Sequence, residues 1–274
     1  MEGKNISKVL SWDKESEINL IRSFWHCVGH IKDIPNNNDF FKITFFDLEL
    51  ITHNTNNVFW TFENKCPHRG SKLFKESRGN SSIVCPYHSW KFTPNKVFIP
   101  RKETFKMINE DEIIHPEKWQ TINYFGFLFI CKSPLFDLEV QLGIDVCEQL
   151  KIMGNSINKV HTTQKIIFNS NWKISIENAL EPYHVGKIHK NTLANLGIDD
   201  GDNKLYKWTS ILIHKISSKR VIKTSELIKK FLKDNIQYKG YWSVYIFPFA
   251  MISSTEGLTF AHQFYQPLSD TKTD

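Results

Sequence analysis

The chain has 274 residues, 41% of them hydrophobic and 14% aromatic, and a formal net charge of +6. That length supplies one large domain or two modest ones with a sizeable core, and the composition excludes wholesale disorder. The 35 Lys and Arg residues are scattered rather than run together, which argues against nucleic acid as a partner, and no stretch approaches the ~20 apolar residues that cross a bilayer.

The N-terminal MEGKNISKVLSWDKESE is polar and has no apolar signal segment, so a cytoplasmic protein without membrane partners is expected. Five cysteines at irregular spacing make no disulfide framework, and in a reducing compartment they serve metals or cores. The 21 Phe and 8 Trp fit either a packed core or an apolar pocket.

In chain order, residues 22–30 (RSFWHCVGH) open the first ordered region. From there to about 135, short apolar runs alternate with turn signals at 36–38, 53–57, 79–80 and 93–95. Strands are expected at Phe41–Phe46, Glu49–Thr52, Val58–Glu63, Ser82–Cys85 and Tyr124–Cys131, giving a small all-β domain over 22–135. After Ser133-Pro134 the pattern changes. Residues 137–152 are weakly helical, with Leu138, Leu142, Val146 and Leu150 four apart. A strand at His161–Trp172 is expected to feed a helix at Ile174–His189, with a further strand at Leu205–Ile216. A helix at Ile222–Lys233 puts Ile222, Leu227, Ile228, Phe231 and Leu232 on one core stripe. Strands at Tyr241–Ser253 and Leu258–Gln266, joined through Thr255-Glu256-Gly257, complete a second domain over 160–274 that is α+β with an antiparallel sheet.

Two loops carry the sharpest chemical signal. Cys66-Pro-His68-Arg-Gly70 and Cys85-Pro-Tyr-His88-Ser-Trp90 make the pattern C-x-H, sixteen residues, C-x-x-H. Each loop offers one thiolate and one imidazole, as a Rieske [2Fe–2S] centre needs when two Cys hold one iron and two His the other. Pro67 and Pro86 stiffen the turns, and Gly70 supplies backbone freedom beside the cluster. A Cys₂His₂ zinc site pairs like with like, whereas here the types alternate. Cys66, His68, Cys85 and His88 are therefore the expected cluster ligands, and Cys27, Cys131 and Cys147 are expected to be structural thiols.

A second constellation lies in 171–189, where Glu181, His184 and His189 follow Asn178. Five residues on an ideal helix do not put two His on one face. Either the helix ends between them, as Gly186 suggests, or a π-type turn aligns them. By itself the pair fits surface or core histidines as well as a metal site.

The segments CPHRG and CPYHSW resemble the Rieske domain of the Rieske non-haem iron oxygenases, whose second loop usually reads CPYHGW. Ser89 stands where that family prefers Gly, either hydrogen-bonding near the cluster or simply tolerated. N-x-x-E-x-Y-H-x₄-H, about 100 residues on, resembles the catalytic motif of the same family, and the resemblance runs from about 22 to 270 through IFPFAMIS and FAHQFYQP. It implies a helix-grip, START-like catalytic domain. It also implies that His184 and His189 bind a mononuclear Fe(II) as part of a 2-His-1-carboxylate triad. Glu181 would bridge to the Rieske His of a neighbouring subunit in a homotrimer, while Asn178 and Tyr183 match motif positions with a direct or a packing role. Electrons would come from NAD(P)H through a reductase, a ferredoxin or both, and O₂ would hydroxylate or oxidatively demethylate a small organic substrate. Residues between about 195 and 265, among them Trp208, Leu212, Phe231, Tyr245 and Phe247, would build the substrate pocket.

The family's third iron ligand is an Asp far downstream. Here only Asp270 and Asp274 follow, in a polar run that reads as a surface turn, so the third ligand is expected to be absent and the C-terminus incomplete. The competing readings are a shortened relative using water or a nearer carboxylate, and a Rieske electron-transfer protein with a degenerate iron site.

Overall fold

A computed structural model of the chain describes residues 14–100, 115–158, 162–181, 184–190, 193–197, 201–232 and 239–274. Helix α1 (Lys14–Ser23) precedes the first ordered region expected from sequence. It is held by Ile21, which is buried, and by buried Glu17, paired with Lys173 at 2.8 Å. The strands that follow are β1 (His26–His30), β2 (Asp39–Phe45), β3 (Leu48–Thr55), β4 (Val58–Glu63), β5 (Arg78–Asn80), β6 (Lys91–Phe92), β7 (Val97–Phe98), β8 (Lys118–Tyr124) and β9 (Phe127–Cys131). Seven of them form one antiparallel sheet in the order β1-β9-β8-β4-β3-β2-β5, and β6 pairs with β7 separately. Asn56 and Asn57, both at positive φ, turn β3 into β4, as Asn-rich hairpin turns require.

Two expectations fail in this half. Tyr124–Cys131 is a hairpin rather than one strand, because Phe125 and Gly126 both take positive φ and reverse the chain. Ser82–Cys85 is no strand; only Val84 bridges to Lys91, since the segment is spent on a loop.

The linker is helical. α2 (Leu138–Leu142) and α3 (Ile144–Ser156) are separated by Gly143 at φ 78, and Leu138, Leu142, Val146 and Leu150 are all buried, as their spacing foretold. A Cβ on Gly154, near the end of α3, would sit 1.7 Å from the Phe125 carbonyl oxygen, so only glycine lets the helix approach the β8–β9 turn.

The second sheet is also antiparallel. Helices α4 (Trp172–Leu180) and α5 (Val185–Ile188) precede strands β10 (Asp202–Leu205) and β11 (Thr209–His214). After α6 (Lys219–Leu232) come β12 (Tyr241–Ile246), β13 (Ala250–Thr255) and β14 (Thr259–Phe264), so that the sheet runs β10-β11-β12-β13-β14. A small hairpin, β15 (Pro267–Ser269) and β16 (Lys272–Thr273), ends the chain. The strand expected at Leu205–Ile216 is β11, shorter at both ends, and the one expected at Tyr241–Ser253 is two strands, β12 and β13, with a turn between them. The strand expected at His161–Trp172 does not form: His161 lies outside the described residues, and only Phe168 bridges to Thr273. Ile166 and Ile167 beside it are exposed, so no sheet pays back their ordering. Leu227, Ile228 and Phe231 of α6 are exposed rather than core, so that amphipathic stripe has no cover among the described residues.

The two sheets share a core. Trp25, Cys27, Phe127 and Phe129 of the first half pack with Leu138, Leu142, Val146 and Leu150 of the linker and with Trp242, Val244, Ile246 and Ile252 of the second. The fold is α+β and sheet-dominated, and no described helix is long and apolar enough to cross a membrane.

Two histidines at this junction make stability depend on pH. Burial holds His26 and His30 down at about 4. The unfolded chain therefore takes up their protons first as pH falls from 6.5 to 4, and stability that is complete above 6.5 is lost across that window. Each shift corresponds to about 3 kcal/mol when fully expressed. The melting temperature should fall between pH 7 and pH 5, and His26→Phe should flatten the fall; equal melting temperatures in the native protein at the two pH values would contradict this.

Candidate metal centres

The two short loops project from the first sheet and close in the same way. In the first, the Gly70 N–H donates to the Cys66 carbonyl (2.9 Å) and the Cys66 N–H to the Ser71 carbonyl (2.8 Å). In the second, the Ser89 N–H donates to the Cys85 carbonyl (2.9 Å) and the Cys85 N–H to the Trp90 carbonyl (2.8 Å). Each Cys therefore begins a tight turn whose fifth residue is left-handed, Gly70 at φ 72 and Ser89 at φ 58. Gly meets that demand without strain; Ser meets it at a cost of about 1 kcal/mol. Ser89 is exposed.

Thiols and imidazoles divide by depth. Cys66 and Cys85 are buried in a cluster with Phe62, Leu73, Phe74, Ile83, Trp90 and Phe92. His68 and His88 are half-buried, with ring centroids 4.7 Å apart. His68 lies parallel to the Trp90 indole at 4.7 Å, and His88 is 3.9 Å from the exposed Tyr87 ring. Burial, then the adjoining Cys85 thiol, pushes Cys66 up to about 11, so its proton stays until a cation replaces it. Burial lowers His68, which favours the neutral ring that ligates metals.

These residues fit a [2Fe–2S] cluster. The Nδ1 atom of His88 is shielded from solvent with no hydrogen-bond partner, which is costly unless a metal takes the lone pair.

The second constellation is less complete. The break in the expected helix falls at its Leu180–Glu181 end rather than at Gly186, which lies within α5. His184 and His189 flank that four-residue helix, and the short turn brings their ring centroids to 5.3 Å. The Glu181 carboxylate accepts from His184 Nδ1 at 3.2 Å. With Nδ1–H donated, the neutral ring keeps its lone pair on Nε2, and the acid fixes the ring's orientation. Two imidazoles so held suit a mononuclear iron. Asn178 is exposed on α4, and Tyr183 lies outside the described residues.

No third carboxylate joins the pair among the described residues. The Asp274 carboxylate is paired with Lys165 at 2.6 Å, and Asp270 is exposed while its carbonyl accepts from the Asn171 side chain. Of the five expected pocket residues, Trp208 and Phe247 pack with Phe24, and Phe231 is exposed. Only Leu212 and Tyr245 stay on the sheet face that carries α4, as their register requires.

Ser89→Gly should raise stability by about 0.5–1 kcal/mol, read by denaturant unfolding of the reduced apoprotein. A loss of stability would mean that the hydroxyl makes a contact the geometry does not contain.

Comparison with known proteins matches the two halves of the chain to two families. The Rieske [2Fe-2S] domain family matches residues 24–101, and the ring hydroxylating alpha subunit (catalytic domain) family matches 156–274. The carnitine monooxygenase oxygenase subunit of Acinetobacter baumannii is 25% identical over 97% of this chain and 71% of its own length. The anthranilate 1,2-dioxygenase large subunit of Burkholderia cepacia is 29% identical over 65% of this chain and 45% of its own. A crystal structure of a quaternary ammonium Rieske monooxygenase with L-carnitine superposes with a TM-score of 0.75 over 95% of this chain and 69% of that one, at 18% identity. The chain belongs to the Rieske non-haem iron oxygenases, as an alpha-type oxygenase component whose two domains take a [2Fe–2S] cluster and a mononuclear iron.

Proposed function

We propose that Cys66, His68, Cys85 and His88 hold the cluster and that His184 and His189 hold the mononuclear iron, with 22–135 and 160–274 as the two domains. The bound metals supply electron transfer and O₂ activation, with which an oxygenase of this family hydroxylates or oxidatively demethylates an organic substrate. The protein's part is positional. The matched turns set sulfur deep and nitrogen shallow, which leaves the imidazole edge of the cluster nearest the surface. Glu181 orients His184, and its carboxylate is half-exposed. That exposure supports a homotrimer in which Glu181 of one protomer meets the Rieske His of its neighbour, with Asn178 and Tyr183 in supporting places. Electrons enter from a reductase or ferredoxin fed by NAD(P)H. All five cysteines are free, which fits a reducing, cytoplasmic compartment.

The single observation that carries this reading is the paired closure of the two Cys loops round facing imidazoles. The reading it is tested against is a Rieske electron-transfer protein without the mononuclear iron. Metal and sulfide analysis separates them: about three irons per two sulfides for the oxygenase, about two per two for the carrier. His184→Ala should remove one iron and leave the cluster's absorption untouched. A variant that keeps its full iron count would defeat the assignment.

A further inference from the structure

Two aromatic rings stand against the paired imidazoles, and they differ in depth and in origin. Tyr87, 59% exposed, lies 3.9 Å and 33° from His88, the next residue in the chain. Trp90, 4% exposed, lies 4.7 Å and 1° from His68, which belongs to the other loop. The first contact is local and open to solvent. The second crosses between the loops and is sheltered.

Trp90 is held in place by its own loop. Its carbonyl accepts from the Cys85 N–H (2.8 Å), and two residues on, the Phe92 N–H donates to the Ile83 carbonyl (2.9 Å). Val84 bridges Lys91 between these bonds, so the backbone from Trp90 to Phe92 is laddered to 83–85. The indole packs in the apolar cluster that also contains Cys66, Cys85, Ile83 and Phe92. It is a fixed wall, and His68 is the ring laid against it.

An indole laid flat on an imidazole has two effects. It sets the plane of the ring, and with it the direction in which a ring nitrogen meets a metal. It also strips water from one face of the ring and puts the electron-rich face of an aromatic there. A [2Fe–2S] cluster gains one negative charge when it takes up one electron. A dry site opposes added charge, and an aromatic face opposes negative charge in particular. Both effects act against reduction, and solvent exposure is one of the factors that set the potential of such clusters.

We propose that Trp90 is a positioning residue for His68: it reaches across from the second loop, fixes the plane of that ring and holds the cluster's reduction potential down. Tyr87 has no such part, although its ring lies closer to an imidazole. The inference rests on the cluster assignment proposed above, and it makes the two histidine ligands unequal.

The test compares Trp90→Leu, Trp90→Phe and Tyr87→Leu in the cluster-loaded full chain. Iron and sulfide are counted, the potential is read by dye-mediated titration with dithionite, and the electron paramagnetic resonance of the reduced cluster is recorded. With iron and sulfide at native content, Trp90→Leu should be about ten-fold easier to reduce, a rise of about 59 mV for one electron, with shifted g-values. Trp90→Phe keeps a smaller ring and should be about three-fold easier to reduce. Tyr87→Leu should change the equilibrium by less than about two-fold. An unchanged or lowered potential in Trp90→Leu, or an equal rise in Tyr87→Leu, overturns the proposal. Should Trp90→Leu hold no cluster, Trp90→Phe decides, and a native potential there overturns it as well. A native chain that takes up no cluster sinks the ligand assignment beneath, a result distinct from a loaded cluster that ignores Trp90.

Discussion

A left-handed residue four positions after a cysteine shapes both cluster loops. It lets the chain fold back so that the N–H of that residue reaches the Cys carbonyl, and the Cys N–H reaches the carbonyl one residue further on. With the backbone so committed, the thiol turns inward against Phe62, Phe74 and Phe92, and the imidazole stays at the rim. Two copies of this turn, facing each other, divide sulfur from nitrogen without any long-range adjustment. The unequal ligation that sets the potential of such a centre follows from backbone geometry.

The catalytic half depends on the first through a shared core rather than through a hinge. Trp25 and Cys27 on β1 pack with Trp242, Val244 and Ile252, and His262 of β14 hydrogen-bonds the Cys27 carbonyl at 3.0 Å. One face of the second sheet is therefore fixed against the Rieske unit. The cost of this junction is its buried histidines, which cannot be charged in place.

What could be read from the sequence was chemistry with short range. The alternation of Cys and His, the proximity of Glu181 to His184, and the four-residue spacing from Leu138 to Leu150 are all local, and all appear in the fold. Features set by tertiary contact were not legible. Helix α1 is polar on most of its surface and earns its place through Ile21 and the Glu17–Lys173 pair, partners about 150 residues apart in the chain. The exposed stripe of α6 has the periodicity of a core helix and lacks a core. Ser89 was visible as a departure from Gly, but its positive φ was needed to explain it.

Mössbauer spectroscopy of the ⁵⁷Fe-enriched, reduced protein addresses the central claim most directly, because it distinguishes irons by their ligands. The account predicts a trapped-valence pair, its ferrous iron on the histidine side, together with a separate high-spin ferrous component from the mononuclear site. A spectrum with two equivalent cluster irons, or with no cluster component at all, would contradict it.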